Sequence, residues 1–363
     1  MINVSFDDYT YFPALRTRQA ELKGLEQLSK DQKQQFLPML TLGRWPKATD
    51  FNKSAEKAEA AMEKLPHVLD LTNDASHLGD EQRKLRDSKD AFAAWRDFAA
   101  RYEGAIPVIQ LVPGSKARDQ VRQATLLEKV VGKIAFRIRD FAIDTPQVIN
   151  AISAMDDPAN ALVYIDCQYI RSALTAYVTA TVATVNQLRS EFPELFIVVL
   201  STSFPPSVLP FADTSQQRGV IEIQERDLHS RIGGSAVAAY GDHGSVHSVV
   251  YDDTKIMRWS ARIDYPRELS WHFERRPGEQ GAAGYISAAA AIVASDPEIG
   301  RRGIWGEEMI VNAAQGEPHG RAPAPWIAVR VNIHLARQLA FSQKLDDGDD
   351  SQAGDNDGDG FDE

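Results

Sequence analysis

The sequence predicts an α/β protein, a single TIM-like (β/α)8 barrel with a β-hairpin inserted after the eighth strand and a disordered acidic C-terminal tail. Eight apolar or alternating segments of strand length recur along the chain, and stretches of helical composition with charged faces separate most of them. Strand followed by helix, repeated, means parallel strands joined by crossovers, and eight such units are what a closed barrel requires. A doubly wound open sheet is the alternative arrangement of the same units.

In chain order the strands are expected at 35–43, 67–73, 105–112, 133–140, 161–168, 195–203, 219–225 and 237–244, most of them rich in Val, Ile or Leu. Helices are expected between them at 54–65, 88–102, 118–131, 146–154, 173–192 and 226–232. The stretch HSVVYDDTKIMRWSARID breaks this rhythm and reads as two strands joined by a turn at Asp252, Asp253 and Thr254, which places the hairpin insertion at about 246–264. Two more helices are expected near 286–294 and 326–341, closing the ring. From Asp346 onward the chain is Gly and Asp with almost nothing apolar to bury. The expected division is therefore a barrel domain over 1–343 and a disordered tail over 344–363.

Composition bounds the class. Of the 363 residues, 43% are hydrophobic and 25% charged, an ordinary globular balance that needs no disulfides. The single Cys167 can form neither an internal bridge nor a thiolate zinc site, which fits a reducing compartment. The N-terminal residues carry acids where a signal peptide carries bases. The most apolar helical stretch, 173–185, falls short of the about 20 residues that a bilayer span needs. A cytoplasmic protein without membrane contact is expected. The net charge of −11 is concentrated in the tail: residues 346–363 hold nine acids and no base, which leaves −2 for residues 1–345. So nearly neutral a body gives no support to diffuse nucleic-acid binding.

Strand alternation sorts the side chains. In KIAFRIRD, Ile134, Phe136 and Ile138 face the helices while Ala135, Arg137 and Arg139 point into the barrel. The same count sends Asp70, Thr72, Gln110, Tyr164, Asp166, Glu222 and Gln224 inward, an unusually polar interior. Asp140, Asp166, Gln224, Asp242 and His243 fall at carboxyl ends of strands, where barrel enzymes keep their reactive groups. The catalytic candidates are therefore Asp166, Glu222, Asp242 and His243, and the ligand-binding candidates Asp70, Gln110, Arg137, Arg139 and Gln224. Arginines beside carboxylates can grip a phosphate and position a water or a metal. They equally describe a structural salt-bridge network that fixes strand register. The most site-like short stretch is YGDHGSVH, where Asp242, His243 and His247 suit acid–base work or metal binding, although a loop turning into the hairpin reads the same.

Stronger signatures are missing: there is no Walker loop, no G-x-G-x-x-G, no H-E-x-x-H and no G-x-S-x-G. Alternation turns Cys167 away from Asp166 toward the helices, against a nucleophilic role. The tail copies the opening of a calcium loop with Asp355, Asp357, Asp359 and Gly360, but Glu363 stands ninth where the loop needs its bidentate acid twelfth, so tight calcium binding is not expected. The residues assign no metal and name no cofactor.

One resemblance adds to this. Tyr11, Pro13, Leu15, Arg16, Arg18, Glu21 and Leu22 in YFPALRTRQAEL, followed by PMLTL, resemble the opening of the phage Beta protein family. In that family a tyrosine and a proline precede a basic, glutamate-bearing helix and then a first strand that starts at proline. The likeness continues to YGDHG and covers most of 9–340. It implies a place in a phage-encoded anti-phage module beside a killer protein, Gop, and a small accessory protein, Cll, which this chain would antagonise and contact. A polar pocket at the barrel mouth would sense a ligand. It carries over no catalytic residue, so a barrel hydrolase or lyase acting on a phosphorylated or nucleotide-like molecule stands as the alternative.

Overall fold

Apolar runs of three to nine residues form strands and the amphipathic stretches between them form helices in the computed structural model, which describes residues 2, 4–74, 79–247, 260–279 and 281–353. The first half runs β1 (Ala14–Arg16), α1 (Gln19–Glu26), α2 (Lys30–Gln34), β2 (Met39–Leu42), α3 (Asn52–Ala61), β3 (His67–Leu71), α4 (Asp80–Leu85), α5 (Lys89–Ala99) and β4 (Ala105–Pro107). Its strands pair β1–β2–β3–β4, all parallel. The chain continues through α6 (Ala117–Val131), β5 (Ile134–Ile138), α7 (Phe141–Ile152), β6 (Ala161–Tyr169), α8 (Leu174–Glu191), β7 (Phe196–Thr202), β8 (Arg218–Glu222), α9 (Glu225–Arg231) and β9 (Ala239–Asp242). A second parallel sheet orders β5–β6–β7–β9.

The molecule is thus a mixed α/β fold, and strand pairing gives two four-stranded parallel sheets. Backbone bonds connect them at both edges. Val108 bridges Ala135 in the parallel sense, with Ile109 N–H donating to Ala135 O at 2.8 Å, and Phe12 N–H donates to Tyr240 O at 3.0 Å. The remaining chain adds β10 (Ala261–Pro266), β11 (Ser270–Arg276), α10 (Ala282–Ser295), α11 (Trp305–Ala314) and α12 (Pro323–Ala353). β10, β11 and β8 form an antiparallel sheet in the order β10–β11–β8, packed through Ile263 and Tyr265 against Tyr285, Ile292 and Trp326.

Period-2 alternation decides which residues meet. Ile134, Phe136 and Ile138 join Val163, Ile165 and Val199 beneath Leu127, Val148 and Leu188 of the helices, as their register predicts. The opposite faces, Met39, Val68, Ile106, Ala135, Leu162, Tyr164, Val198 and Leu200, make one apolar cluster to which both parallel sheets contribute. The expected polarity of this interior is therefore confined to its upper end, where Arg137, Asp70 and Asp166 sit above the apolar layers. Charges placed lower would have lacked both solvent and partners.

Several expectations are corrected. The segment expected as the seventh barrel strand, 219–225, pairs antiparallel with β11 in the separate sheet, because alternation reads burial and not strand direction. Its place among the parallel strands is taken by β1, which at three residues is too short to show a period. The helix expected at 146–154 starts earlier: Asp140 caps α7 by accepting from Ala142 N and Ile143 N, so Asp140 is a capping residue. The predicted turn at 252–254 lies outside the described residues, and the hairpin that is described is β10–β11, further along the chain. α12 extends to Ala353, and the calcium-like segment lies outside the described residues. Among the described residues no helix is long and apolar enough to cross a membrane.

β9 lies so close to the chain entering β1 that a Cβ on Gly241 would meet Phe12 O at 2.5 Å and Leu200 Cδ2 at 2.7 Å. Gly241→Ala is expected to lower the unfolding free energy by about 1–3 kcal/mol in urea titrations followed by circular dichroism. A variant as stable as the parent would show that this seam has room to spare.

Candidate functional site

The carboxyl ends of the parallel strands surround a cavity of about 330 Å³, lined among others by Arg16 from β1, Thr41 from β2, Arg137 and Arg139 from β5, Asp166 and Gln168 from β6, and His243 and His247 after β9. Its floor is a chain of charges. Arg137 donates from Nε and one terminal nitrogen to Asp166 Oδ2 at 3.0 and 2.7 Å, and from the other to Asp70 Oδ2 at 2.8 Å and Thr41 Oγ1 at 3.1 Å. Arg139 donates to Asp70 Oδ2 at 2.8 Å, and the His243 ring meets Asp166 Oδ1 through Nε2 at 2.9 Å. The order of contacts is therefore Arg139, Asp70, Arg137, Asp166, His243.

Local structure fixes each member. Asp144 accepts from the backbone N–H groups of Arg139 and Asp140 at 2.8 and 2.9 Å, which pins the end of β5 to the first turn of α7. Gln168 sits at a register shift in β6 with φ of 53°, and its N–H donates to Asp166 Oδ1 at 2.9 Å. After β9, Gly244 and Ser245 have φ of 59° and 60° while Val246 N–H donates to His243 O at 3.1 Å. This tight turn aims His243 inward, and only glycine fits its first position, because a Cβ on Gly244 would meet Leu15 Cδ2 at 2.3 Å.

Electrostatics follows from burial and pairing. Burial alone would raise the Asp166 carboxyl, but Arg137 and His243 outweigh it and hold it well below the usual carboxylate range. Asp70 is pulled the same way by Arg139 and Arg137. Burial lowers Arg139, and the like charge of Arg137 lowers it further. Both aspartates thus have their oxygens committed to protein donors, including Leu71 N–H to Asp70 Oδ1 at 2.8 Å. They act as struts and not as free bases. Arg139 differs: among the described residues one terminal nitrogen alone has a side-chain partner, and the side chain is 26% exposed at the cavity wall.

Of the nine residues proposed from sequence, Asp70, Arg137, Arg139, Asp166 and His243 converge here. Asp242 turns away, as alternation requires of the residue before His243. It accepts from Tyr11 OH at 2.8 Å, Tyr240 OH at 3.0 Å and Gly244 N–H at 2.8 Å, and meets His334 Nε2 of α12 at 3.0 Å. Burial pushes its carboxyl up, but His334 and the donors bring it down to about 2. Gln110 is buried at one side, with its N–H on Gln123 Oε1 at 3.0 Å and its amide on Val108 O at 3.1 Å. Glu222 is exposed on the antiparallel sheet, and Gln224 caps α9 with its N–H on Ser203 Oγ at 3.0 Å; neither lines the cavity. Arg16, Glu21, Thr41, Asn73, Asp74 and Gln168 line it without having been singled out for chemistry. Arg16 and Glu21 stood out only as family-like residues, and Arg16 N–H donates to Glu21 Oε2 at 2.7 Å. Cys167 bonds Thr181 Oγ1 at 3.2 Å in the helix layer, where burial pushes its thiol up to about 12. Among the described residues no group of three or more His, Cys, Asp or Glu is placed to hold a metal ion.

A buried acid lies beside this framework. Glu225 accepts from Ser203 N–H at 2.6 Å and from Ser203 Oγ, yet burial pushes it up from 4.5 to about 7. Between these values the native state keeps a proton that the unfolded chain has released. Its stabilisation is full below pH 4.5 and is lost as pH rises through about 7. We expect urea midpoints to fall across this window by the equivalent of on the order of 3 kcal/mol, and Glu225→Gln to flatten the fall. Parallel pH profiles for the two proteins would refute the assignment.

Comparison with known proteins places this geometry in context. The chain matches the Beta protein family over residues 11–340. It is 45% identical over 350 residues to Protein beta of Enterobacteria phage P4, an alignment that covers 96% of this chain and 98% of that protein.

Proposed function

The chain belongs to the Beta protein family, and from that membership we propose that it is a cytoplasmic antagonist of a killer protein in a phage-encoded anti-phage module, with a pocket at the strand ends that reads a small anionic ligand. The observation that carries the pocket is Arg139. Asp70 holds its guanidinium at one corner, Asp144 pins its backbone, and its remaining donors have no protein partner among the described residues. A planar fork held in place beside a cavity suits a phosphate or carboxylate. The antagonist role follows the resemblance in the opening residues, and β9 offers a route for it: His243 meets the cavity while Asp242 beside it holds α12 through His334.

Two assays separate the parts. Co-expressed with the killer and accessory genes of its module, the chain is expected to co-purify with at least one product and restore growth; binding neither and restoring nothing would reject antagonism. Inorganic phosphate titrated calorimetrically is expected to bind at least tenfold more weakly to Arg139→Ala than to the parent, the loss of a charge-assisted hydrogen bond. Equal binding would reject the anion pocket.

A second reading is favoured by the His243–Asp166 pair, since an imidazole oriented by a buried carboxylate serves as a general acid or base. Phosphatase turnover that His243→Ala reduces by about 10²–10⁴ would make the protein an enzyme. No turnover on phosphate esters in the parent leaves the binding role.

We also read the two parallel sheets as one closed eight-stranded ring. The bonds from Ile109 to Ala135 and from Phe12 to Tyr240, and the apolar cluster shared by both sheets, support it. In a closed ring the Phe12 and Ile109 amides exchange hydrogen as slowly as those inside the sheets. Exchange at the rate of exposed loops would leave the ring open.

A further inference from the structure

The groups around the cavity narrow the ligand beyond an anion, and this step rests on the pocket proposed above. Arg139 supplies a fork for several oxygens of one anionic group. The other two arginines of the wall are engaged, Arg137 by Asp70, Asp166 and Thr41, and Arg16 by the His247 carbonyl at 2.9 Å. Glu21 lines the same cavity, so a second anionic group on the ligand would be placed near a carboxylate. The ligand therefore carries one anionic end. His243 sets what the rest of it offers. Its side chain is 10% exposed, and its Nε2 faces Asp166 Oδ1, which assigns the ring proton to that nitrogen in the neutral imidazole. Nδ1 then presents a lone pair with no protein partner among the described residues, in a ring that lines the cavity. A nearly buried acceptor left open calls for a donor on the ligand. The Gln168 side-chain amide also lines the cavity without a protein partner among the described residues, and it both donates and accepts.

Hydroxyl groups satisfy both side chains, since an O–H donates to an imidazole nitrogen or an amide oxygen and accepts from an amide nitrogen. These hydroxyls must lie away from the anion: Arg139 follows β5 and His243 follows β9, with β6 and β7 between those strands. Inorganic phosphate is too small to serve both ends. Apolar surface is scarce, because among the described residues the apolar side chains of the wall are Ala14, Leu15 and Val246. An alkyl or aromatic ligand would find little to bury against. The cavity of about 330 Å³ falls at the small end of ligand pockets, room for one sugar ring and not for a polymer. We infer that the pocket binds a monosaccharide monophosphate, its phosphate on Arg139 and its distal hydroxyls on His243 Nδ1 and the Gln168 amide.

The test is calorimetric titration of the full chain with ribose 5-phosphate, glucose 6-phosphate, glucose 1-phosphate and fructose 6-phosphate, against inorganic phosphate, the parent sugars and glucuronate. At least one sugar phosphate is expected to bind tenfold or more tightly than inorganic phosphate and than its own sugar. Arg139→Ala is expected to reduce it to the level of the sugar. His243→Gln keeps a donor for Asp166 and removes the Nδ1 acceptor, and it is expected to reduce the sugar phosphate to the level of inorganic phosphate while leaving phosphate itself unchanged. The comparison among ligands uses the parent protein alone, so it decides even where a variant is destabilised. If inorganic phosphate binds through Arg139 as tightly as every sugar phosphate, the inference is overturned while the anion pocket stands. Glucuronate binding as tightly as the best sugar phosphate would equally overturn the phosphate assignment. If no phosphorylated ligand shows a dependence on Arg139, both the inference and the anion pocket fall.

Discussion

A single buried guanidinium ties the molecule together. Arg137 stands at the end of β5 and takes hydrogen bonds to Asp70 from β3 and Asp166 from β6, so one side chain spans carboxylates from both parallel sheets. All three groups are nearly out of water, and removing any one would leave an uncompensated charge, a defect that typically costs about 3–5 kcal/mol. Such a triad adds little stability over a well-packed apolar core. It adds uniqueness: a slip of one residue in β5 or β6 would turn a charge into the helix layer beside Leu127 or Val148, and one in β3 would turn Asp70 toward Phe92 and Trp95. The price is high enough that register at the cavity floor is determined by charge pairing and lower down by packing.

That division sets a polar cavity on an apolar interior. Below the triad, Leu162, Tyr164, Val198 and Leu200 meet Met39, Val68 and Ile106 in one apolar cluster. Above it, Arg139 and His243 continue the chain of contacts outward, each tied to a saturated aspartate by one end. The aspartates keep the two groups in place without competing with them for a ligand, because their oxygens are already occupied. A long arginine held in this way carries a smaller entropy cost of ordering in any binding event.

Much of this was legible in the strands and little of it in the loops. Period-2 alternation in KIAFRIRD separated Ile134, Phe136 and Ile138 from Arg137 and Arg139 correctly, and the same count brought Asp70 and Asp166 to the arginines. It failed at Glu222 and Gln224, since a buried-looking alternation reads the same in an antiparallel sheet as in a parallel one. It had nothing to work on in β1, whose three residues leave Arg16 without a pattern. Asp140 misled because an acid at the end of a strand is also an acid at the start of a helix, and capping won. Gln168 was beyond reach of counting altogether, because the register shift that exposes it breaks the period on which the count depends.

At the end of β9 two consecutive residues serve two regions. His243 faces the cavity and Asp242 faces outward, holding Tyr11, Tyr240 and His334 in one buried cluster. Tyr240 in turn lies under the Arg226 guanidinium at 3.4 Å, and Arg226 donates to Gln338 Oε1 at 2.9 Å and to Ser342 Oγ at 2.9 Å on α12. The turn at Gly244 and Ser245 follows directly on Asp242 and His243 and holds their backbone. α12 also carries Arg330, which pairs with Asp264 of β10 at 2.7 Å. Contacts thus run from the cavity wall at His243 through Asp242 and α12 to the antiparallel sheet. For a ligand to act along them, the ligand must bind one arrangement of His243 better than another. The hydrogen bond with Asp166 is the hold against which such a preference would be measured.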